Sequence, residues 1–216
     1  SKLRTKDRVR QHMQELALRY PNAGYGPSFL QWAMSGNPQP YGSWGNGSAM
    51  RVSSVGWLCN SMEDVLEFAE LTASVTHNSS EGVKGAQAIA GAVFISRDGA
   101  SKSRIKSFAE NTIGYDLSDS AIDQIRKTVA EKPGYGVSCM MSVPLAFDAF
   151  LKSDNYEGTV RNAVAGGVDT DTVADMAGSM AEAGFGIPYK LRQQGMAYLD
   201  KYLLDIYNQY LAYLDI

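Results

Sequence analysis

Glu81-GVKGAQAIAGAVFIS-Arg97 is the stretch that decides the fold class. Val83, Ala86, Ile89, Ala90, Val93 and Phe94 recur at the spacing of one helical face. Gly85 and Gly91 lower helix propensity but let another helix come close. The same period runs outward in both directions. Upstream, Val9, Met13, Leu16, Ala17 and Tyr20 form a stripe that Pro21 ends. Val65, Phe68, Ala69, Thr72 and Ala73 follow Ser61 and Asp64, which are spaced like a capping box. Downstream, Ser101 and Ser118 can cap helices carrying Ile105 and Phe108, then Ile122, Ile125 and Val129. KPGYG at 132–136 is a break, and further helices are expected over 141–151, 156–165 and 171–184. A last helix after Pro188 carries Leu199, Tyr202, Leu203, Ile206, Tyr210 and Leu214. Tyr198, Tyr202, Tyr207, Tyr210 and Tyr213 read as its packing aromatics, and Met140 and Met141 read as core filler. Alternating strands and internal repeats are absent. The expectation is an all-α, compact single-domain multi-helix bundle over residues 1–216, with about nine or ten helices.

Composition narrows the function classes. The 216 residues are 44% hydrophobic and 20% charged, which reads as a folded globular chain. Twenty Lys and Arg against 23 Asp and Glu leave a net charge of −3. The cations are scattered, which disfavours a nucleic-acid binder held by phosphate contacts. No apolar run reaches about 18 residues, so no membrane span is expected. Cys59 and Cys139 have no CxxC spacing and read as free thiols of a cytoplasmic protein. SKLRTKDRVRQ is charged and unlike a signal peptide.

Three groups of residues could carry chemistry. Asp169-Thr170-Asp171-Thr172 follows Gly166-Gly167-Val168 and opens a helix of small residues. Carboxylates there suit capping and the helix dipole. Asp169, Asp171 and Thr172 also offer three hard oxygens in one turn, a partial set for a six-coordinate Mg²⁺. Gly42-Ser43-Trp44-Gly45-Asn46-Gly47-Ser48 lies ahead of a helix. It is either a Gly-rich turn with Trp44 in the core, or a phosphate cradle of free N–H groups with Trp44 facing a base or ribose. Arg51 is either a structural ion pair or a partner for a carboxylate or phosphate. His77 sits in an inter-helix loop, as a satisfied structural group or as a contact to a phosphate or ribose hydroxyl.

Together these features resemble the ADP-ribosylglycohydrolase family, the all-α group that includes dinitrogenase-reductase-activating glycohydrolase. Four stretches carry the resemblance: Tyr41-GSWGNGSAMR-Val52, Ser74-VTHNSSEGVKGAQA-Ile89, Ser153-DNYEGTVRNAVAGG-Val168 and Asp169-TDTVADMAGSMAEAGFGIP-Tyr189. The resemblance implies a hydrolase that removes ADP-ribose from a modified side chain or related acceptor, with Mg²⁺ or Mn²⁺ at the mouth of a cleft. It places Asp169, Asp171 and Thr172 on the metal-ligand motif, with Asp169 and Asp171 also the metal-linked candidates for catalysis. It places Gly42, Ser43, Trp44 and Asn46 on the loop that holds diphosphate and ribose, and His77 on a position that helps bind ADP-ribose. Arg51 would support the site. The implied chemistry is cleavage at the anomeric carbon with oxocarbenium character, attacked by a water of lowered pKa.

The chain also departs from the family pattern. Members carry an N-terminal segment with a Thr-Asp-Asp-type motif that supplies the other metal ligands. Residues 1–40 hold only Asp7 and Glu15 as carboxylates. The expectation is therefore half of a metal site, with weak or incomplete Mg²⁺ binding, and surface left by the missing segment that drives self-association. Gly167-Val168 stands where Gly-Gly is usual, and Ser79-Ser80 where His-Pro is common. An active hydrolase and a catalytically inactive ADP-ribose-binding homologue both fit this sequence. A repurposed structural scaffold fits it too.

Overall fold

The computed structural model describes residues 5–214. Among these residues lie thirteen α-helices and no strand. The first six are α1 (Lys6–Arg19), α2 (Pro27–Ala33), α3 (Gly47–Met50), α4 (Ser53–Leu58), α5 (Met62–Ala73) and α6 (Ser80–Arg97). Then come α7 (Lys102–Ser107), which runs into a π-helical turn Phe108–Ile113, and α8 (Asp119–Glu131). The chain ends with α9 (Cys139–Leu151), α10 (Tyr156–Ala165), α11 (Thr170–Phe185), α12 (Tyr189–Met196) and α13 (Lys201–Leu214). The serines read as caps act as caps. Ser61, Ser101 and Ser118 accept from the backbone N–H groups of Asp64, Arg104 and Ala121.

Helix α6 is the axis of the molecule. Its periodic stripe is only part of what it buries. Ala88, Ala92, Ile95 and Ser96 are also inside, because α3, α4, α5, α9 and α11 surround it. A helix apolar on most sides belongs in the centre of a bundle. Small residues make the close approaches possible. A Cβ added at Gly91 would lie 2.2 Å from the Phe108 ring, and one at Gly85 would lie 2.5 Å from Cys139 Sγ. Gly56 of α4 is tighter in kind, since its Cβ would meet the Ala90 carbonyl at 2.5 Å and Val93 Cβ at 2.8 Å. Neither atom can swing away on a torsion. Gly56→Ala is therefore expected to destabilise by about 1–3 kcal/mol through overpacking. Gly195→Ala, with nothing within 4 Å, should leave the melting temperature unchanged or raise it. Thermal unfolding of the two variants side by side checks this.

The larger helix count has physical causes. The stretch after Ser48 forms two short helices, because Arg51 and Val52 break the run. The expected last helix is two, since Asp200 starts a new one by accepting from Leu203 N at 3.0 Å. Neither α12 nor α13 contains a buried residue. The tyrosines read as packing aromatics are thus largely at the surface, with Tyr198 91% and Tyr213 72% exposed. Residues Leu203, Tyr207, Tyr210 and Leu211 are half-buried, and Tyr20 donates to Asp200 at 2.8 Å. Met140, read as core filler, is half exposed as well. It lies in the first turn of α9, where the preceding residue, Cys139, is the one that meets Gly85 of α6.

Ala17, Trp32, Ala33 and Val75 form a smaller core between α1, α2 and the end of α5. Tyr41 packs against it and delivers the Gly-rich loop to the start of α6. Tyr41 N donates to Thr76 O, and Ser79 Oγ donates to Ser43 O at 2.7 Å.

Candidate functional site

The loop Gly42–Asn46 is held from three sides. Gly42 has φ +66, the left-handed region that glycine tolerates, and its N–H donates to Asn78 Oδ1 at 2.8 Å. On the far side the loop pairs with the segment just before α9. Asn46 N donates to Val137 O at 2.8 Å, Cys139 N donates to Trp44 O at 3.0 Å, and Gly45 bridges Ser138. Underneath lies His77. These bonds use the N–H groups of Gly42 and Asn46, and Gly45 N donates within the loop to Ser43 Oγ at 3.2 Å. The N–H groups of Ser43, Trp44, Gly47 and Ser48 have no acceptor among the described residues. Trp44 is 53% exposed and so is not core packing.

The Asp turn meets this loop directly. Asp169 is the one non-glycine residue with positive φ among the described residues, at φ 42 and ψ 51. In that conformation its side chain does not cap α11. Asp169 Oδ2 accepts from Asn46 Nδ2 at 2.5 Å, and Oδ1 accepts from Thr172 Oγ1 at 3.3 Å. Two motifs 123 residues apart in sequence thus share one surface. Asp171, in the first turn of α11, is exposed. One turn on, burial raises the Asp175 carboxyl to about 7, and the neighbouring Asp171 adds to this. By area Asp175 is exposed, so the rise reflects protein packed around a surface carboxyl rather than a residue inside the core. Val168 lies over Gly136, where an added Cβ would meet its Cγ1 at 2.1 Å.

Behind the loop is a polar chain. Arg51 bonds no carboxylate among the described residues. It donates to Gly47 O at 2.6 Å and to Thr76 Oγ1 at 2.9 Å. Thr76 Oγ1 lies 2.7 Å from His77 Nδ1. Burial lowers the Arg51 pKa to about 10, so the guanidinium stays charged at neutral pH. Burial, with Arg51 beside it, lowers His77 to about 3, so the imidazole is neutral. Burial raises the Cys139 thiol to about 12, which makes it a packing group rather than a nucleophile.

All the residues singled out in the sequence lie in this region. Gly42, Ser43, Trp44 and Asn46 form the loop, His77 supports it, and Asp169 bonds to it with Thr172 on its other oxygen. Asp171 stands beside them without a bond to the loop. Three further positions build the site and were not singled out. Val137 closes the loop, Asn78 holds its start, and Thr76 links Arg51 to His77. The Gly-rich break at 132–136, which Val137 directly follows, was the available signal for the first. For the others there was only adjacency to His77.

As a cation site the arrangement is partial. Asp169, Asp171 and Thr172 are hard oxygen donors of the type that Mg²⁺ and Mn²⁺ prefer. No cluster of three or more acidic, His or Cys side chains among the described residues is placed to hold a metal ion. The donor chemistry fits, and the number of protein ligands falls short of an octahedron.

Comparison with known proteins places the chain. The ADP-ribosylglycohydrolase family profile matches residues 4–210. The chain is similar to the ADP-ribosylhydrolase ARH3 of Homo sapiens, with 31% identity covering 68% of this chain and 51% of that protein. It is 29% identical to an uncharacterized protein of Archaeoglobus fulgidus, covering 66% of this chain and 50% of the other. The chain spans about half the length of the curated relatives it matches. A solved ADP-ribosylglycohydrolase-related protein complex contains a chain of similar fold, with a TM-score of 0.63 and 24% identity. That likeness covers 89% of this chain and 71% of the other. Among the described residues no helix is long and apolar enough to cross a membrane. With the profile spanning nearly the whole chain over an all-α bundle, the chain belongs to the ADP-ribosylglycohydrolase family.

Proposed function

We propose that this chain binds ADP-ribose and hydrolyses the glycosidic bond between it and an acceptor, with Mg²⁺ or Mn²⁺ as cofactor. One observation carries the reading. Asp169 spends its carboxylate on Asn46 rather than on capping its own helix, which joins the acidic turn to the Gly-rich loop. A helix terminus built only for stability would cap itself.

Each group has a task in this reading. The unbonded N–H groups of Ser43, Trp44 and Gly47 receive the diphosphate. Trp44 offers its exposed face to the base. Asn46 holds Asp169 in place, and the neutral His77 ring lies beneath the loop. Asp169 and Asp171 face the positive charge that builds on the sugar as the glycosidic bond breaks. Asp169, Asp171 and Thr172 would hold the cation, with water, ligand oxygens or other chain completing its shell. The cation, when bound, supplies positive charge to the ribose and phosphate oxygens.

Calorimetric titration of ADP-ribose, with Mg²⁺ and then with EDTA, tests the reading. Saturable binding that strengthens with Mg²⁺ is expected, and Asp171→Asn should remove that strengthening. The small number of protein ligands favours a second reading, a retained cleft without turnover. Its mark would be binding indifferent to EDTA and no hydrolysis. Absence of binding in both buffers would overturn both readings.

A further inference from the structure

We propose that Arg51 is a positioning residue: acting through the Thr76 hydroxyl, it fixes His77 as the tautomer that carries its proton on Nε2. The inference takes its ligand from the ADP-ribose reading above, but the tautomer itself does not depend on it.

The argument is an account of one hydroxyl hydrogen. Thr76 is fully buried, and its Oγ1 has three neighbours of consequence. Arg51 Nη2 donates to it at 2.9 Å, and a guanidinium can only donate. His77 Nδ1 lies at 2.7 Å and the Ala73 carbonyl at 3.5 Å. Thr76 therefore has one hydrogen to give and two places for it. The Ala73 carbonyl already accepts from His77 N at 2.8 Å and Thr76 N at 3.1 Å. Its distance from the hydroxyl is at the limit of a hydrogen bond. The hydrogen goes to Nδ1. A neutral imidazole that accepts at Nδ1 must carry its proton at Nε2.

The Nε2 edge lies under the turn that the proposed ligand would occupy. A Cβ added at Gly47 would sit 3.2 Å from Nε2, and one at Gly45 would sit 3.7 Å away. Nε2 has no hydrogen-bond partner among the described residues. Arg51 reaches both ends of this arrangement, since its Nη1 donates to Gly47 O. It thus ties the turn and the ring together, and keeps the ring a donor rather than an acceptor. A donor is the form that suits phosphate or hydroxyl oxygen. The opposite tautomer would turn a lone pair towards an anion.

Long-range proton–nitrogen NMR of the His77 ring in the full chain reads the tautomer directly. His12→Gln identifies the signals, as His12 is the only other histidine. Expected are an acceptor-type Nδ1 and a protonated Nε2 in the native chain and in Thr76→Ser, which keeps the hydroxyl. Thr76→Val should populate the Nδ1-protonated form and weaken ADP-ribose binding about tenfold, the size of one hydrogen bond. Thr76→Ser should restore the affinity. A merely structural Thr76 would alter melting without moving the ring signals. An Nδ1-protonated ring in the native chain would overturn the proposal, even if Thr76→Val failed to fold. So would unchanged ring signals in a folded Thr76→Val. The expected signals without any ADP-ribose binding would support the relay and overturn the ligand reading instead.

Discussion

Asp169→Ala, Asp169→Asn and Asp169→Gly should all lose the proposed ADP-ribosyl hydrolysis by ~10²-fold or more, while their melting temperatures separate. The loss follows from the carboxylate's two bonds, one to Asn46 Nδ2 and one to Thr172 Oγ1. Without it the bond that joins the acidic turn to the Gly-rich loop is lost, and one of the two carboxylates proposed to face the sugar is gone. The melting temperatures separate for a backbone reason. At φ 42 and ψ 51 alanine carries a left-handed cost of roughly 1–2 kcal/mol. Asparagine tolerates this region better, and glycine carries no such cost there. The Ala variant should therefore melt lowest. Release of ADP-ribose from a modified acceptor, measured beside thermal unfolding, separates lost chemistry from lost fold. Full turnover by Asp169→Asn would remove the carboxylate from the mechanism.

The fold was legible where local chemistry decides it. Stripes at helical spacing behind Ser61, Ser101 and Ser118 became helices, because each serine satisfies an N–H that the helix cannot. The C-terminal tyrosines misled. Their spacing describes a face, and spacing does not say whether another element covers it. The site was half legible. The Gly-rich loop, His77 and the Asp turn stand out as residue types. Their union through Asn46 and Asp169 does not, because it depends on a left-handed aspartate that propensity argues against. Thr76 was invisible for a related reason. A threonine before a histidine means nothing until Arg51, 25 residues earlier, is brought within 2.9 Å of it.

Gly82→Ala should raise the Kd for ADP-ribose at least tenfold and lower the melting temperature at the same time. Propensity alone says the opposite about stability, as alanine in a helix is favoured over glycine by about 1 kcal/mol. Packing reverses the sign. A Cβ at Gly82 would lie 2.7 Å from Ser43 O, 2.7 Å from His77 Cβ and 3.0 Å from His77 O. Two of these are backbone atoms and the third is fixed to backbone, so relief requires moving the chain. Forced shifts of this kind cost about 1–3 kcal/mol. The direction of the shift matters more than its size. Gly82 O accepts from Ser48 Oγ at 2.7 Å, and Ser79 Oγ holds Ser43 O. The first turn of α6 is therefore the floor of the Gly-rich loop, and lifting Ser43 displaces the N–H groups proposed to meet the diphosphate. Gly56→Ala is the control. It suffers a comparable clash against α6, but with Ala90 and Val93, away from the loop. It should lose melting temperature and keep its affinity. If both variants melt lower and both bind ADP-ribose as the native chain does, the loop Gly42–Asn46 is not where the ligand is held.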